Sequence, residues 1–448
     1  MRCIGKYRLL SLLGRGGMGS VYKVLDPDSN QLRALKIMRP SEIMLDILGY
    51  EEIKTRFFKE AGIMEKLRNR HVARIFEVGE HGDLPFMVQE YLCLNLGILI
   101  GEQTLVEKPT RPLSPLKALD IIFQVLDALS GFHQSGLIYR DIKPENIMLT
   151  RTGQVKIIDF GLSRFKHDNE QTPEGMIVGS PYYAAPEQID NPEKADPRAD
   201  IYSVGVILQR MVTGYLPGTG EVDFAGHSLL GEDWKNLLEQ ALDQDSANRF
   251  PDASAMQNKL QDLQADWIRR QEQVCALAGD RHEGVLKSGS DVRSRPVRTG
   301  KSNVVPFQNM NSLMQPVKYT ENKFEITDQE ILDHATGLIW AGSVSGRKLN
   351  FDQAFKYIQT LNQQDSASGN RFPWRVPTME ELMTLLEPRQ NLEDFCAPDL
   401  WNLQEISWLW SADSQSRTRA WILDMNQGAA LDQDRVCRFH VLPVRQGA

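Results

Sequence analysis

Asp141, Lys143, Asn146 and Asp159 are the residues of this 448-residue chain whose types and spacing could do chemistry together. They lie in Tyr139-Arg140-Asp141-Ile142-Lys143-Pro144-Glu145-Asn146 and in Asp159-Phe160-Gly161, with Asp159 eighteen residues after Asp141. A carboxylate such as that of Asp141 can orient a hydroxyl or accept its proton. Lys143 can neutralise a phosphate, and the side-chain oxygen of Asn146 can reach a metal ion. An acidic residue at a strand end, followed by Phe and Gly, suits a second Mg²⁺ ligand at Asp159. A metal clamp, a cation on the phosphates and a positioned nucleophile are the parts that phosphoryl transfer requires. Each fragment alone says little, since an Arg-Asp pair is as a rule a surface salt bridge and Asp-Phe-Gly a turn. The eight-residue stretch at this distance from Asp-Phe-Gly is far more specific.

The neighbouring elements are those that would hold such a site. An apolar helical run, Leu116 to Phe132, leads into the loop, and a β-like run, Gln154 to Ile158, leads out. Ser114-Pro115 reads as the helix start, with proline in the first turn. Upstream, Leu12 to Tyr22 contains Gly14-x-Gly16-x-x-Gly19, with a further Gly17. Glycines let backbone amides come close to a phosphate. A dinucleotide-binding turn shares this spacing but is followed by a helix. Here the β-like Val21 to Leu25 and the turn Asp26-Pro27-Asp28 follow, so the pattern is a hairpin. Ala34-Leu35-Lys36-Ile37-Met38 is a third strand. Its single Lys is either an inward cation or an edge lysine that discourages aggregation. Glu52 to Leu67 has helical period, with Ile53, Phe57, Ala61 and Met64 or Ile63 on one stripe. Glu60 shares the face of Phe57, Ala61 and Met64, while Glu51, Glu52 and Glu65 are alternative partners for Lys36. Ala73 to Val78 and Phe86 to Leu92 read as two more strands, and Pro109, Pro112 and Pro115 mark a long loop.

Together these motifs resemble a eukaryotic-type serine/threonine protein kinase of bacteria, over residues 7 to 270. The resemblance implies an α+β, bilobal fold with a β-rich N-lobe (7–92) and a helical C-lobe (93–270), using ATP and Mg²⁺ on Ser or Thr of protein substrates. It assigns Asp141 to the substrate hydroxyl, Asn146 and Asp159 to the metal, and Lys36, oriented by Glu60, to the α- and β-phosphates. It places Leu13, Gly14, Gly16, Gly17, Gly19, Val21, Ala34 and Met148 around ATP, with Gln89 as gatekeeper and backbone groups of Glu90 and Leu92 on the adenine. Tyr139 stands where histidine is commonest and would pack on Phe160. Lys143 marks serine/threonine specificity, and Ser180, within Gly179-Ser180-Pro181-Tyr182-Tyr183-Ala184-Ala185-Pro186-Glu187, would bridge Asp141 and Lys143. Arg140 would meet a phosphorylated residue of the segment from Asp159 to Glu187, for which Thr172 is preferred over Ser163. Asp200 would anchor the backbone of the catalytic loop, and Arg249 would pair with Glu187.

The remainder has a different character. Residues 271–321 read as a flexible basic linker, with six Lys/Arg against two Asp/Glu between 281 and 301. Either an anionic partner or plain solvation accounts for that charge. Residues 322–446 read as a second α+β domain. Asn350 opens a short helix, Thr378-Met379-Glu380-Glu381 is a capping box, and short strands follow around Trp408, Ala420 to Leu423 and Phe439 to Val444. Asp333 to Trp340, Pro373 to Thr378 and Leu409-Trp410-Ser411 resemble the Lcl C-terminal-like domain family, which implies a C-type-lectin-like fold. Its tryptophans are expected in the core, although Trp and Arg at a surface would suit a sugar or peptide.

A net charge of −8 argues against a nucleic-acid partner by electrostatics. Five scattered cysteines form no metal-ligand spacing and suit a reducing cytoplasm. No run reaches ~18 apolar residues, so no transmembrane segment is expected. The expected function is a cytoplasmic protein kinase with a C-terminal sensing or scaffolding module that has a ligand or protein partner of its own. The rivals are a pseudokinase scaffold, against which Lys36, Asp141, Asn146 and Asp159 all speak, and a small-molecule kinase, against which Pro181 and Ala185-Pro186-Glu187 speak.

Overall fold

Alternation along the third strand sets up the N-terminal lobe. The computed structural model describes residues 3–16, 19–67, 69–102, 106–150, 152–160, 164–165, 180–191, 195–220, 230–275, 285–286, 292–300, 307–311, 313–327, 330–365, 372–387, 400–401 and 406–447. The chain divides into two units, Met1–Leu277 and Ala278–Ala448.

The first unit opens with β1 (Cys3–Ile4), β2 (Tyr7–Gly16), β3 (Gly19–Asp26) and β4 (Gln31–Met38). Helices α1 (Glu42–Leu48) and α2 (Tyr50–Lys66) follow, then β5 (Ile75–His81) and β6 (Leu84–Glu90). The six strands make one sheet in the order β1-β2-β3-β4-β6-β5. Side chains on a strand alternate between faces. Leu35 and Ile37 therefore enter a core with Ile4, Tyr7, Val24, Phe86 and Val88. Lys36 and Met38 point the other way, where Met38 and Met87 pack on Ile53, Phe57 and Ala61 of α2. The pattern thus carries Lys36 to the face covered by α2. Helix α1 was not anticipated; Ser41 caps it, and none of its residues is buried.

The second lobe is helical. After β7 (Leu94–Asn95) and α3 (Leu96–Ile100) comes the long α4 (Pro115–Gln134). Ser114 caps α4 by accepting from Lys117 N, and Pro115 occupies its first turn. Its apolar positions from Ala118 to Phe132 are buried on several faces, as in a core helix. The proline-rich segment before it is pinned rather than loose: Thr110 N–H donates to Gly214, Arg111 N–H to Ile100 and Leu113 N–H to Met211, at 2.8, 2.7 and 2.6 Å. Beyond α4 come β8 (Leu137–Ile138), β9 (Ile147–Leu149), β10 (Val155–Ile157) and β11 (Arg164–Phe165). Helices α5 (Pro186–Asp190), α6 (Pro197–Thr213), α7 (Gly231–Ala241) and α8 (Ala253–Cys275) complete the unit.

The second unit holds a parallel pair, β12 (Val285–Leu286) and β13 (Tyr319–Thr320). A four-stranded sheet has the order β14 (Phe324–Ile326), β15 (Glu330–Asp333), β16 (Leu338–Ala341) and β20 (Val444–Gln446). Helices α9 (Phe351–Asp365) and α10 (Met379–Met383) precede a three-stranded sheet of β17 (Trp408–Ser414), β18 (Arg419–Asp424) and β19 (Ala429–Asp434). Thr378 and Glu381 form the reciprocal capping box. Trp340, Trp401 and Trp421 lie in one apolar core with Met379, Leu382 and Leu409.

The expected linker is shorter than 271–321. Helix α8 continues to Cys275, and the described residues 292–300 and 307–311 are built into the second unit. Arg293 pairs with Asp413 at 3.0 and 3.1 Å, Trp421 donates to the Thr299 hydroxyl at 3.0 Å, and Phe307 packs on Trp421. The reason is electrostatic: Asp413 is fully buried, and a buried carboxylate requires a cation or donors. Its partner lies in the segment that composition reads as solvated. Among the described residues no helix is long and apolar enough to cross a membrane.

Candidate active site

Side chains from two helices, Asp200 and Gln188, hold the backbone of the loop between β8 and β9. Asp200, in the first turn of α6 and fully buried, accepts the N–H of Tyr139 at 3.0 Å and of Arg140 at 2.8 Å. His133, from the last turn of α4, sits 2.8 Å from the same carboxylate. Three partners make burial of this carboxylate tolerable, since an ion stripped of water without partners costs many kcal/mol. Arg140 has a φ of +69° and Asp159 a φ of +66°. Such left-handed backbone at non-glycine residues is uncommon and clusters where function constrains the chain. Gln188 of α5 donates to the Arg140 carbonyl at 2.8 Å.

Tyr139 replaces histidine without losing the packing. Its ring meets Phe160 edge-on at 5.1 Å, and Phe160 meets Phe132 at 5.3 Å. The hydroxyl, which histidine lacks, donates to the carbonyl of Ile158 at 2.6 Å and lies 3.0 Å from that of Asp159. Burial pushes its pKa well up, so it is a neutral donor.

Asp141 is 7 % exposed. Its Oδ2 accepts from Asn146 Nδ2 at 2.8 Å and from Lys143 Nζ at 2.8 Å. Its Oδ1 is buried with no hydrogen-bond partner among the described residues. Burial raises its pKa, while the Lys143 charge opposes that rise. Asn146 spends its amide on the carbonyl and Oδ2 of Asp141, which leaves its oxygen as the available end. Asn146 and Asp159 offer oxygen donors, the kind a hard divalent cation such as Mg²⁺ takes.

Lys36 Nζ lies 2.8 and 2.9 Å from the two Glu60 oxygens and 3.1 Å from Asp159 Oδ1. Glu60 is therefore the partner; Glu52 is engaged with Arg56 of the next turn. Glu60 also accepts the Phe160 N–H at 3.2 Å. Burial works against the Lys36 charge, but the carboxylates of Asp159 and Glu60 outweigh it and hold its pKa above the usual lysine value. Burial lifts Glu60 to about 7, against the pull of Lys36. The two directions conflict for a mutual ion pair. Bidentate geometry decides for the ionised pair above that pH.

Around this cluster, Val21 is paired with Lys36 and Ala34 with Gln89 across the sheet. A Cβ on Gly19 would run into the Ile37 carbonyl, whereas one on Gly14 or Gly16 would meet nothing within 4 Å. Among the described glycines of the hairpin, internal packing thus requires glycine at Gly19, and the space over Gly14 and Gly16 suits a phosphate chain. The Glu90 N–H donates to the Arg74 carbonyl at 2.8 Å. Leu92 and Met148 are half-buried, and Leu13 is exposed. Gly17, Ser163 and Thr172 lie outside the described residues. Ser180 is half-buried and accepts from Tyr183 and Ala184 N–H through its carbonyl.

Downstream, Arg249 grips Glu187 through two bonds of 2.7 and 2.8 Å. Sequence reasoning missed a second buried ion pair, Arg210 with Glu102 at 3.1 Å, on which the Tyr183 hydroxyl also donates at 2.6 Å. The signal was a single cation inside the apolar run Val206 to Val212.

Comparison with known proteins places this geometry. Residues 7–273 match the protein kinase domain family, and residues 329–445 match the Lcl C-terminal domain. Serine/threonine-protein kinase PknL of Mycobacterium tuberculosis is 31% identical over 316 residues, covering 67% of this chain and 75% of that one. PrkC of Bacillus subtilis is 33% identical over 222 residues, 49% of this chain and 32% of that one. The crystal structure of the M. tuberculosis PknI kinase domain, a double mutant, has a TM-score of 0.45 at 22% identity, covering 58% of this chain and 96% of that one. Kinases of this family use ATP and Mg²⁺ on protein substrates. The chain belongs to the protein kinase family, as a bacterial serine/threonine kinase whose catalytic domain is followed by an Lcl C-terminal domain.

Proposed function

We propose that this kinase transfers the γ-phosphoryl group of ATP through the cluster of Asp141, Lys143, Asn146, Asp159, Lys36 and Glu60. The observation that carries the reading is the buried, unpartnered Oδ1 of Asp141 beside an Oδ2 already held by Asn146 and Lys143. Oδ1 accepts the hydroxyl hydrogen of a substrate Ser or Thr and takes the proton as the bond from that oxygen to the γ-phosphorus forms and the bond from the γ-phosphorus to the bridging oxygen breaks, releasing ADP. Lys143 offsets charge on the transferring group. Lys36, oriented by Glu60, steadies the phosphates from the other side, and the Gly14 to Gly19 hairpin covers them. Asn146 and Asp159 hold Mg²⁺, which when bound neutralises charge on the phosphates. Val21, Ala34 and Met148 line the adenine pocket, with backbone groups of Glu90 and Leu92 on its edge.

Arg140 is assigned to receive a phosphate on Thr172, which carries about −1.5 to −2 charge at pH 7, and the Ser180 hydroxyl to bridge Asp141 and Lys143 when substrate docks. The C-terminal unit is read as a C-type-lectin-like sensing or scaffolding module with its own ligand. Use of ATP supports a cytoplasmic site of action. Incubation with ATP, Mg²⁺ and a generic protein substrate, followed by acid hydrolysis, tests the reaction. Phosphoserine or phosphothreonine is expected, and phosphotyrosine alone or no transfer contradicts it.

A further inference from the structure

The C-terminal unit contains an open cavity of about 540 Å³ between the segment 345–349 and α9. Its lining is Ser345, Gly346, Arg347, Leu349 and one stripe of α9: Gln353, Lys356, Tyr357 and Thr360. The α9 residues recur at helical spacing, so they form a single face. That volume is in the range of small-molecule sites.

The charged groups that line this cavity are both cations, and Gln353 and Tyr357 also keep hydrogens to donate, whereas the hydroxyls of Ser345 and Thr360 spend theirs on backbone carbonyls. Arg347 and Lys356 are exposed, and their side chains have no hydrogen bond or ion pair to any described residue. No Asp or Glu lines the cavity. Asp352, on the same helix, is taken by Arg435. Acceptors are used up locally: Gln353 Oε1 accepts from Asn350 N at 3.1 Å, which turns its amide outward. Ser345 donates to the Arg347 carbonyl, and Thr360 donates to that of Lys356. Tyr357 is half-buried and, among the described residues, its hydroxyl has no partner. Burial keeps it protonated. Leu349 and the Tyr357 ring supply apolar surface.

We propose that this cavity is a binding site for a phosphate monoester, whose dianion is held by Arg347 and Lys356 and whose organic body lies on Leu349 and Tyr357. The guanidinium fork matches phosphate oxygens bidentately. Two cations match a group of about −1.5 to −2 charge better than a single carboxylate. The ester has two sources, a small phosphorylated metabolite or a phosphorylated Ser or Thr of a protein. The inference concerns the second unit alone and stands apart from the catalytic assignment.

The test is titration calorimetry on the full chain with phenyl phosphate, glycerol 3-phosphate, a phosphoserine peptide, its unphosphorylated form and inorganic phosphate. Saturable binding of at least one phosphate ester is expected. Arg347→Gln and Lys356→Gln should each weaken it roughly tenfold to a hundredfold, the loss of one charge-assisted hydrogen bond. Lys348→Gln, an exposed charge outside the cavity, and Lys36→Met, in the kinase unit, should leave it unchanged. Preference for phenyl or glycerol phosphate identifies a metabolite-like ligand; preference for the phosphopeptide identifies a protein. Absence of saturable binding by every ester overturns the proposal. So does binding that Arg347→Gln and Lys356→Gln leave intact, or that Lys36→Met abolishes.

Discussion

The side-chain amide of Asn146 stands 2.8 Å from Oδ2 of Asp141. This bond and that of Lys143 hold the Asp141 carboxylate, and by spending the amide the first leaves the Asn146 oxygen for the metal role proposed above. Asn146→Ala is therefore expected to act twice. It should lower kcat by roughly a hundredfold or more, the scale of losing one preorganised group, and raise the Mg²⁺ concentration needed for half-maximal rate. Steady-state rates across a Mg²⁺ titration check this; an unchanged Mg²⁺ requirement contradicts the metal role.

The Lys36–Glu60 pair gives a pH dependence with a definite sign. Burial raises Glu60 from 4.5 to about 7. The anion that orients Lys36 is lost as pH falls through that value, so kcat/KM for ATP should drop below about pH 7. Stability runs the other way. A folded-state pKa above the unfolded one favours the fold at low pH, and that contribution fades as pH rises from 4.5 through about 7. Glu60→Gln should lower activity and flatten the acid limb of the pH–rate profile. Superimposable limbs would place the titration on another group, Asp141 being the first candidate.

Arg249 is buried against Glu187 with both terminal guanidinium nitrogens bonded to its carboxylate. Removing one partner of such a pair leaves a buried charge alone, a loss of about 3–5 kcal/mol. Glu187→Met, which leaves the buried Arg249 without its anion, is expected to lower the urea midpoint of the kinase unit accordingly. A loss under about 1 kcal/mol, the scale of an exposed pair, refutes the structural role.

The boundary of the second unit is testable in the same way. A fragment covering 278–448 keeps Arg293, Thr299 and Phe307, whereas one beginning at Tyr319 leaves Asp413 buried without Arg293. The longer fragment should fold cooperatively. The shorter should lose about 3–5 kcal/mol from the orphaned charge, with Phe307 lost as well. Equal thermal stability of the two would return residues 292–318 to the linker.

Local signals explain what could be read in advance. Strand alternation brought Lys36 to the α2 face, the Phe57-Glu60-Ala61-Met64 stripe selected Glu60, and Ser114-Pro115 marked the start of α4. Each depends on residues close in sequence. Long-range partnerships were hidden for the opposite reason. Glu102 and Arg210, or Arg293 and Asp413, lie about a hundred residues apart; only Arg210, inside an apolar run, differs from a solvated charge, and nothing local names its partner. Helix α1 escaped because only Met44 and Leu48 of its seven residues pack on the core, and both stay partly exposed, although Ser41 and Gly49 flank it as caps. Recognising the family bridged one such gap, Arg249 with Glu187, that spacing alone could not.

The central claim is that Asp141 Oδ1 receives the substrate hydroxyl. The most direct measurement is the rate of γ-phosphoryl transfer from ATP to a generic protein substrate by the wild-type chain and by Asp141→Asn, with the folded state of both checked by circular dichroism. Asp141→Asn keeps the shape and the contacts at Oδ2 but cannot take a proton. A folded Asp141→Asn chain retaining less than a few per cent of the wild-type rate, roughly the hundredfold or greater loss of a positioned base, is the predicted result. A folded variant with near wild-type turnover would contradict the account.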